Sequence, residues 1–341
     1  MMNTYPELYK HWFILCQSRQ LRGRPLQRSL LGVPLVLFRS ADGQPAALVD
    51  RCPHRNAPLS SGRMNDGRIV CPYHGWQFGG GGQCQAVPGL VGEAGHPARK
   101  AEARAVVVLD GFVWAYAGAG EVPATGPRRF DFLNQKGTAR FVGEAVVNAA
   151  LPDVLENFLD GAHTHFVHAG LIRAEGKRKE MTAIVRRRHD GVEAEYLDEG
   201  QQSGLIAKLF GADIDDVFGR FILPSVAQLE YRARGQTKML ITLYFTPQEE
   251  YSQRLFAVVV GRAPQWAAWL AVPVIKLLFW QALRQDQAIL ELQTRNMRSF
   301  GGPQYVYTEL DVLGAHILRL LKHGPSAEFE PMPEQRLKMM M

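Results

Sequence analysis

The chain has 341 residues, enough for two domains of ordinary size, and its 46% hydrophobic and 21% charged residues are typical of a globular protein. The formal charge of +6 comes from scattered Lys and Arg, which excludes a basic arm for nucleic acid. Four Cys are too few for a disulfide scaffold, and with no secretory signal at the start of the sequence they favour a cytoplasmic protein.

The first part of the chain is rich in predicted strands. Short runs of β-branched and aromatic residues alternate with Gly and Pro turns over residues 12–117, which predicts a small all-β domain within residues 1–120. Cys16 and Cys84 are expected to be small core residues of this domain. The following stretch, GAGEVPATGPRRF, is rich in Gly and Pro and predicts a linker over residues 121–134.

The remainder of the chain mixes strands and helices. A strand, a helix over 152–163, further strands and a long helix over 274–298 predict an α+β domain from residue 135 to 321. The most apolar stretch, 266–283, contains Pro273 and is barely long enough for a membrane span, so we expect a buried helix or a hydrophobic flap. Residues 322–341 are polar and are predicted to form a loose tail.

Two Cys and two His in the β-rich segment form the most specific motif. Cys52 and His54 are followed, after sixteen residues, by Cys71 and His74. Zinc sites built from two loops usually take like ligands from each loop. Two loops that each supply one Cys and one His can instead hold a [2Fe–2S] cluster, with the thiolates on one iron and the imidazoles on the other. The sequence therefore predicts a cluster of the Rieske type, and a zinc site is the alternative.

A second group of polar residues follows the linker. Asn157, Asp160 and His163 are spaced by three and share one side of the predicted helix. His168 lies five residues beyond His163, so the helix should end or bulge between them for both imidazoles to reach one ion. Two His and one carboxylate form the ligand set of non-haem Fe(II) sites that activate oxygen. His165 is expected to support the ligands or line the pocket and not to bind the ion.

The carboxylate is expected from the long helix. Asp286 lies in the middle of an apolar stripe of that helix, whereas Glu291 lies on its polar side. A buried carboxylate without a partner is costly, so Asp286 is predicted to bind the metal, with an ion pair to a nearby Arg as the alternative. The stripe consists of Phe279, Ala282, Leu283, Ile289 and Leu290.

Asp160 has a different predicted role. It lies one helical turn before His163, close enough to accept the second N–H of that imidazole and fix its orientation. We therefore expect Asp160 to serve electron transfer more than iron binding. A carboxylate that pairs with a local Arg, or that caps a turn, is the alternative.

The two motifs, in this order and separated by a linker, resemble those of the α-subunits of Rieske non-haem iron oxygenases. The resemblance covers about residues 8–300. It implies a Rieske domain followed by a helix-grip catalytic domain in which His163, His168 and Asp286 hold iron. It also implies a head-to-tail ring of identical subunits, usually a trimer, in which Asp160 hydrogen-bonds both His163 and His74 of the partner subunit.

The chain departs from the family pattern in two places. Four glycines at 79–82 stand where an acidic or polar turn is frequent, and Thr164 and His165 replace a more usual apolar or aromatic pair. Both places lie near functional surfaces, and neither removes a ligand. In length the chain looks more like the one-component monooxygenases and demethylases than the ring-dihydroxylating α-subunits.

The sequence contains no nicotinamide-binding motif. There is no G-x-G-x-x-G after a strand and no plant-type ferredoxin Cys spacing, so a separate flavin reductase or ferredoxin must supply electrons. By resemblance, the chain is a terminal oxygenase that uses O₂ to hydroxylate or oxidatively demethylate a small molecule. Trp266, Trp269, Phe279 and Trp280 point to a hydrophobic substrate, cyclic or aromatic. The alternatives are a Rieske electron-transfer protein with a non-catalytic ligand-binding domain and a zinc-stabilised interaction protein.

Overall fold

The computed structural model describes residues 4–119, 122–129, 138–173, 178–197, 214–262, 265–326 and 333–341, with the backbone alone for 265–271. The chain divides into two compact units. The first contains Leu8–Arg128 and Thr246–Glu250, and the second contains Asn3–Glu7, Arg129–Phe245 and Tyr251–Met341. The division after Arg128 falls inside the predicted linker, of which residues 121 and 130–134 lie outside the described residues.

The first unit is built from short antiparallel strands, as the sequence predicts. They form a three-stranded sheet in the order β1-β11-β10 and two four-stranded sheets, β2-β3-β4-β9 and β5-β6-β7-β8. The strands are β1 Trp12–Gln17, β2 Leu26–Leu30, β3 Val33–Arg39, β4 Pro45–Val49, β5 Arg63–Asn65, β6 Arg68–Val70, β7 Gln77–Phe78, β8 Cys84–Ala86, β9 Ala103–Arg104, β10 Val106–Leu109 and β11 Phe112–Tyr116.

The core of this unit lies beneath the two loops that carry the Cys and His motif. Cys52 and Cys71 belong to a cluster of buried side chains that also includes Phe38, Leu48 and Phe78. All four cysteines are buried and none forms a disulfide, which confirms the prediction that the two outside the motif are core residues. The loops are therefore held at one end of a close-packed core, where their donor atoms have little freedom to move.

The second unit is one large antiparallel sheet with helices, and it confirms the predicted α+β class. The sheet has the order β12-β18-β17-β16-β15-β14-β13-β19. Its strands are β12 Thr138–Val147, β13 Glu180–Arg188, β14 Gly191–Leu197, β15 Asp216–Ile222, β16 Val226–Ala233, β17 Gln236–Glu249, β18 Ser252–Arg262 and β19 Gln335–Met340. The helices are α1 Leu151–Leu159, α2 Gln265–Ser299 and α3 Gly314–His323. Helix α1 packs on β15 and β16, α2 on β12 and α3 on β14.

The segment predicted to be a loose tail contains the edge strand of this sheet. Strand β19 pairs with β13 from Glu180↔Met340 to Val185↔Gln335, and Met339 and Met341 are buried. The prediction was therefore wrong for residues 335–341. The physical reason is that the outer edge of β13 presents unpaired backbone groups, which a distant polar segment can satisfy.

Helix α2 is longer than predicted. Val274 and Leu277 are exposed, so a buried helix is wrong over the described side chains 272–283, and the alternative of a hydrophobic flap stays a prediction. Ile289, at 40% exposure, is not part of the buried stripe. Leu283 and Leu290 are buried as predicted. Among the described residues, no helix combines the length and apolar character needed to span a membrane.

One face of the sheet carries a network of partly buried charges. Although burial alone raises the pKa of Glu230, hydrogen bonds from Arg232, Thr237 and Arg220 lower it to about 2. Arg232 Nε lies 2.8 Å from Glu230 Oε1, and Arg220 Nη1 lies 2.7 Å from Oε2. Arg220 also pairs with Glu193 on β14. These contacts cross the four neighbouring strands β14 to β17 and tie their register together.

Candidate metal centres

The two Cys and His loops have the same backbone design. The N–H of Asn56 donates to the carbonyl of Cys52 at 2.9 Å, and the N–H of Gly75 donates to the carbonyl of Cys71 at 3.1 Å. Asn56 and Gly75 have φ of 62° and 71°, a left-handed conformation that Asn and Gly tolerate. Each loop therefore turns back on itself and presents its Cys and its His on one side.

The four donors of these loops separate into a buried pair and an exposed pair. Cys52 and Cys71 are 1% and 2% exposed, whereas His54 and His74 lie at the surface with ring centroids 4.6 Å apart. Burial raises the pKa of the Cys52 thiol to about 11, and the neighbouring Cys71 adds to the rise. Two thiols in the core facing two imidazoles at the surface fit a [2Fe–2S] cluster with the Rieske ligand set.

The same geometry disfavours a single zinc ion. Of the part of the chain that the structure describes, one group of His, Cys, Asp or Glu donors lies within 4.8 Å of one another, and it does not contain these Cys and His. A tetrahedral zinc ion would need all four donor atoms close together.

Trp76, whose role the sequence did not indicate, stacks on His54 with 4.7 Å between ring centroids and 4° between ring planes. It fixes the orientation of that imidazole.

The second site begins where helix α1 ends. The sequence predicts a helix to residue 163, but α1 stops at Leu159 and Asp160 is extended, with ψ of 125°. Asp160 Oδ1 accepts the N–H of Ala162 at 2.7 Å, and Oδ2 accepts the N–H of His163 at 3.1 Å. The helix therefore ends because the Asp160 side chain accepts the first two backbone N–H groups of a new 3₁₀ turn, Ala162–His165.

Three donors converge between this turn and helix α2. The Nε2 atoms of His163 and His168 lie 3.4 Å and 3.0 Å from Oδ1 of Asp286. The ligand atoms of all three residues lie within 4.8 Å of one another. Asp286 is 3% exposed, and its Oδ1 is buried without a hydrogen bond of good geometry. A buried carboxylate oxygen aimed at two imidazole nitrogens fits a metal ion bound by two His and one carboxylate.

The neighbours of the two imidazoles favour Nε2 as the ligand atom. His168 Nδ1 lies 2.9 Å from Oε1 of Gln285, within hydrogen-bond distance, whereas His163 Nδ1 makes no hydrogen bond among the described residues and faces Oδ2 of Asp160 at 3.4 Å. An N–H at each Nδ1 leaves the Nε2 lone pair free for the ion. The sequence analysis did not identify Gln285, although its position next to Asp286 on the same helix could have indicated a role beside the metal ligands.

Glu291 lies on the exposed side of helix α2, where the side-chain amide of Asn148 donates to Glu291 Oε1 at 3.1 Å.

The charges of the site favour a cation at its centre. Burial lowers the pKa of His163, but the carboxylates of Asp160 and Asp286 outweigh it and raise the pKa to about 9. Burial raises the pKa of Asp286, but the two imidazoles that face its carboxylate bring the pKa below its ordinary value. A proton and a metal ion therefore compete for the same negative pocket.

His165 lies in the protein interior, 2% exposed, and lines neither cavity beside the three donors. Of its two expected roles, lining of the pocket is therefore wrong, and support of the ligands stays a prediction. His163, by contrast, lines both cavities. The turn thus presents His163 to the site and packs His165 into the interior.

The two cavities differ in character. One, of about 190 Å³, is lined mostly by apolar side chains of the sheet and of α2. Of the four aromatic residues expected to favour a hydrophobic substrate, Phe279 lies in the wall of this cavity, whereas Trp280 packs over Gly143. The side chains of Trp266 and Trp269 lie outside the described residues. The other cavity, of about 390 Å³, has acidic and phenolic groups in its wall. The apolar cavity is the one suited to a hydrophobic molecule.

Comparison with known proteins agrees with both centres. Residues 11–97 match the Rieske [2Fe-2S] domain, and residues 147–323 match the vanillate O-demethylase oxygenase C-terminal domain. The oxygenase component of dicamba O-demethylase from Stenotrophomonas maltophilia is 35% identical over 51% of this chain, and the match spans only 52% of that relative. The vanillate O-demethylase oxygenase subunit from Pseudomonas sp. (strain HR199 / DSM 7063) is 27% identical, and the match covers 94% of this chain and 95% of that relative.

The fold agrees over nearly the whole chain. The crystal structure of dicamba monooxygenase bound to 3,6-dichlorosalicylic acid superposes with a TM-score of 0.78 and 25% identity, covering 92% of this chain and 96% of that one.

Proposed function

Because this chain belongs to the Rieske non-haem iron oxygenases, we propose that it is the terminal oxygenase of a multicomponent system. It takes electrons from a separate flavin reductase or ferredoxin and uses O₂ to hydroxylate or oxidatively demethylate a hydrophobic aromatic or cyclic molecule. The observation that carries the proposal is the convergence of His163, His168 and Asp286 at the wall of an apolar cavity. The names of relatives as oxygenase components of O-demethylases support it.

Oxidative demethylation of an aryl methyl ether divides the two atoms of O₂ between the substrate and water. One oxygen atom of O₂ enters a methyl C–H bond, and the resulting hemiacetal breaks into a phenol and formaldehyde. The other atom leaves as water, with two electrons from the reductase and two protons from solvent. When bound, the cluster supplies stored electrons and the mononuclear iron supplies the place where O₂ is activated.

Different side chains of the protein have different roles in this reaction. The buried Cys52 and Cys71 and the exposed His54 and His74 would hold the cluster. Gln285 holds the imidazole of His168 in the tautomer that binds metal. The apolar cavity orients the substrate and excludes water from it.

We also propose a head-to-tail trimer in which Asp160 links the two centres. Its side chain is 34% exposed, and each oxygen accepts one backbone N–H, so a carboxylate with about four lone-pair sites can still accept a bond from His74 of the partner subunit. The exposure of His74 supports this. Four free cysteines support a reducing compartment, the cytoplasm.

Metal analysis and turnover test the proposal together. The purified protein should be red-brown, with the rhombic EPR signal of a reduced Rieske centre and about three irons per chain. With a reductase and an aromatic methyl ether, O₂ uptake should match formaldehyde release. About two irons per chain without turnover would favour the electron-transfer alternative, and a colourless zinc protein would contradict both.

A further inference from the structure

The larger of the two cavities, of about 390 Å³, has a strongly negative wall. Four carboxylates lie in it, those of Asp153, Glu156, Asp160 and Asp311, and we call it the acidic cavity. Of the described residues in this wall none is Lys or Arg, and the single basic side chain is His163, one of the three metal donors. The whole chain carries a net charge of +6, so this concentration of negative charge is local.

Two buried acceptor atoms in the same wall lack a hydrogen-bond donor. Asp153 is 7% exposed, and the hydroxyl of Tyr305 donates to its Oδ1 at 2.6 Å. Among the described residues, neither Oδ2 of Asp153 nor Oδ1 of Asn157 has a partner. The two residues lie four apart on α1, so their side chains share one face of that helix. A buried acceptor without a donor destabilises a protein, so this face favours a ligand that donates hydrogen bonds.

The charge of the wall is not met by the neutral donors around it. Burial raises the pKa of Glu156 to about 7, and the neighbouring carboxylates, that of Asp311 first, add to the rise. Burial also raises the pKa of Asp153, and the hydrogen bond from Tyr305 offsets only part of that rise. Carboxylates that raise one another's pKa favour a cation between them. The ligand that fits this wall is therefore a cation with N–H or O–H donors.

The spacing of the carboxylates disfavours a metal ion as that cation. Among the described residues, the group of His, Cys, Asp or Glu donors that lie within 4.8 Å of one another contains none of the four carboxylates of the acidic cavity. A calcium ion takes about six to eight oxygen ligands at about 2.3–2.6 Å, which requires donors much closer together. An ammonium group requires only acceptors within hydrogen-bond distance of its own N–H groups.

The remainder of the wall suits a carbon chain. The rings of Tyr305 and Tyr307 lie in it with centroids 6.2 Å apart, and both side chains are partly exposed, so the cavity opens to solvent beside them. Aromatic faces attract cations as well as apolar groups. A dry cavity of about 150 Å³ holds one benzene molecule, so this larger cavity has room for several carbon atoms. Its aliphatic side chains include those of Ile289, Leu290, Val306, Leu310 and Leu313.

We propose that the acidic cavity binds a small, free primary alkylammonium ion, at a site separate from the apolar cavity. The ammonium group donates to Asp153 and Asn157, and the carbon chain packs on the apolar side of the wall. A primary ammonium has three N–H donors, whereas a quaternary ammonium has none. The inference goes beyond the proposed function, because the binding needs neither a reductase nor turnover of a substrate.

Calorimetry on the full-length, iron-loaded protein at neutral pH and physiological salt tests this site. The probes are hexylamine, hexan-1-ol and hexyltrimethylammonium, which share the carbon chain and differ in charge and in N–H donors. Wild type should bind hexylamine at least about ten-fold more tightly than hexan-1-ol, as expected for hydrogen bonds to charged groups. Hexyltrimethylammonium keeps the charge but has no N–H, so it should bind at least about three-fold more weakly than hexylamine.

Substitutions in the wall locate the ammonium group. Asp153→Asn removes one charge and keeps an acceptor for Tyr305, so it should remove most of the preference for hexylamine and change hexan-1-ol binding by less than about three-fold. Glu156→Gln should lower the preference at least about three-fold, and it gives a second test if the melting temperature shows that Asp153→Asn is not folded. Glu309→Gln is the matched control, because Glu309 is exposed near Tyr307 but does not line the cavity. It should keep the full preference.

The inference is overturned if wild type binds hexylamine no more tightly than hexan-1-ol, including no binding of either. It is also overturned if folded Asp153→Asn and Glu156→Gln variants both bind hexylamine as wild type does, because the ammonium group would then lie elsewhere. Equal binding of hexylamine and hexyltrimethylammonium would overturn it as well, since the two unpartnered acceptors would then have no part in recognition.

Discussion

Gly161→Ala tests how closely the edge strand β19 fits the turn that carries His163. A Cβ at Gly161 would lie 2.0 Å from Cε and 3.1 Å from Sδ of Met341. The backbone of Gly161 has φ of −84° and ψ of −25°, a conformation that Ala adopts without strain. The cost of the substitution therefore comes from overlap with the methionine and not from the backbone.

Two effects of opposite sign determine how much Gly161→Ala changes the free energy of unfolding. Overpacking a filled site costs about 1–3 kcal/mol, and we take about 2 because the displaced atoms are the flexible end of a side chain that is 7% exposed. Ala in place of Gly restricts the unfolded chain and contributes about 0.4–1 kcal/mol of stability. Gly161→Ala should then destabilise the protein by about 1 kcal/mol. In a Met341→Ala background the overlap disappears, and the same change should stabilise by about 0.5 kcal/mol.

Urea unfolding of wild type, both single variants and the double variant measures this change of sign. The coupling free energy should be about 1.5 kcal/mol. Met340→Ala is the matched control, because Met340 is 57% exposed and should not reverse the effect. If Gly161→Ala costs the same with Met341 and without it, β19 does not pack on the turn and the reasoning fails.

Three further predictions concern charged residues. Asp286→Ala should keep the visible spectrum of the cluster but lose the mononuclear iron and oxygenation, whereas Glu291→Ala should keep both; iron analysis showing the reverse would contradict the choice of ligand. Asp160→Asn should retain most mononuclear iron while O₂ reoxidises the pre-reduced cluster orders of magnitude more slowly in stopped-flow, and near-normal reoxidation would show that Asp160 is no bridge. The three hydrogen-bond donors of Glu230 lower its pKa from 4.5 to about 2. The ionised carboxylate therefore stabilises the folded protein fully above pH 4.5, and this contribution is lost as the pH falls towards 2. In urea unfolding, Glu230→Gln should therefore be less stable than wild type at neutral pH and nearly equal to it near pH 2; an equal deficit at both would contradict the ion-pair assignment.

The parts of the molecule that the sequence predicted are those encoded by local patterns. Cys52, His54, Cys71 and His74 follow a ligand spacing that few other sites use, and the hydrogen bonds of their loops span only four residues. Asp286 could be chosen because a carboxylate in an apolar helical stripe needs a cation. The β-rich and mixed segments follow from strand and helix periodicity, which is also local.

The parts that the sequence did not predict depend on distant partners. Strand β19 has no clear alternation of its own and forms because the edge of β13 is available. The end of α1 was misplaced because Asp160 competes for backbone N–H groups, a preference that periodicity ignores. Ile289 matched the stripe by spacing, but it is exposed because no element among the described residues covers it.

The two centres differ in how much of the chain must fold before each can take up its metal. All four donors of the first lie on two neighbouring loops of the small unit, so a short stretch of chain completes that site. His163 and Asp286 flank the strands β13 to β18, and closing this long loop costs entropy that only the assembled sheet repays. We therefore expect mononuclear iron to be the later of the two to load. Once bound, it stabilises the assembled sheet and helix by mass action, so removal of this iron should loosen α2 before it affects the small unit.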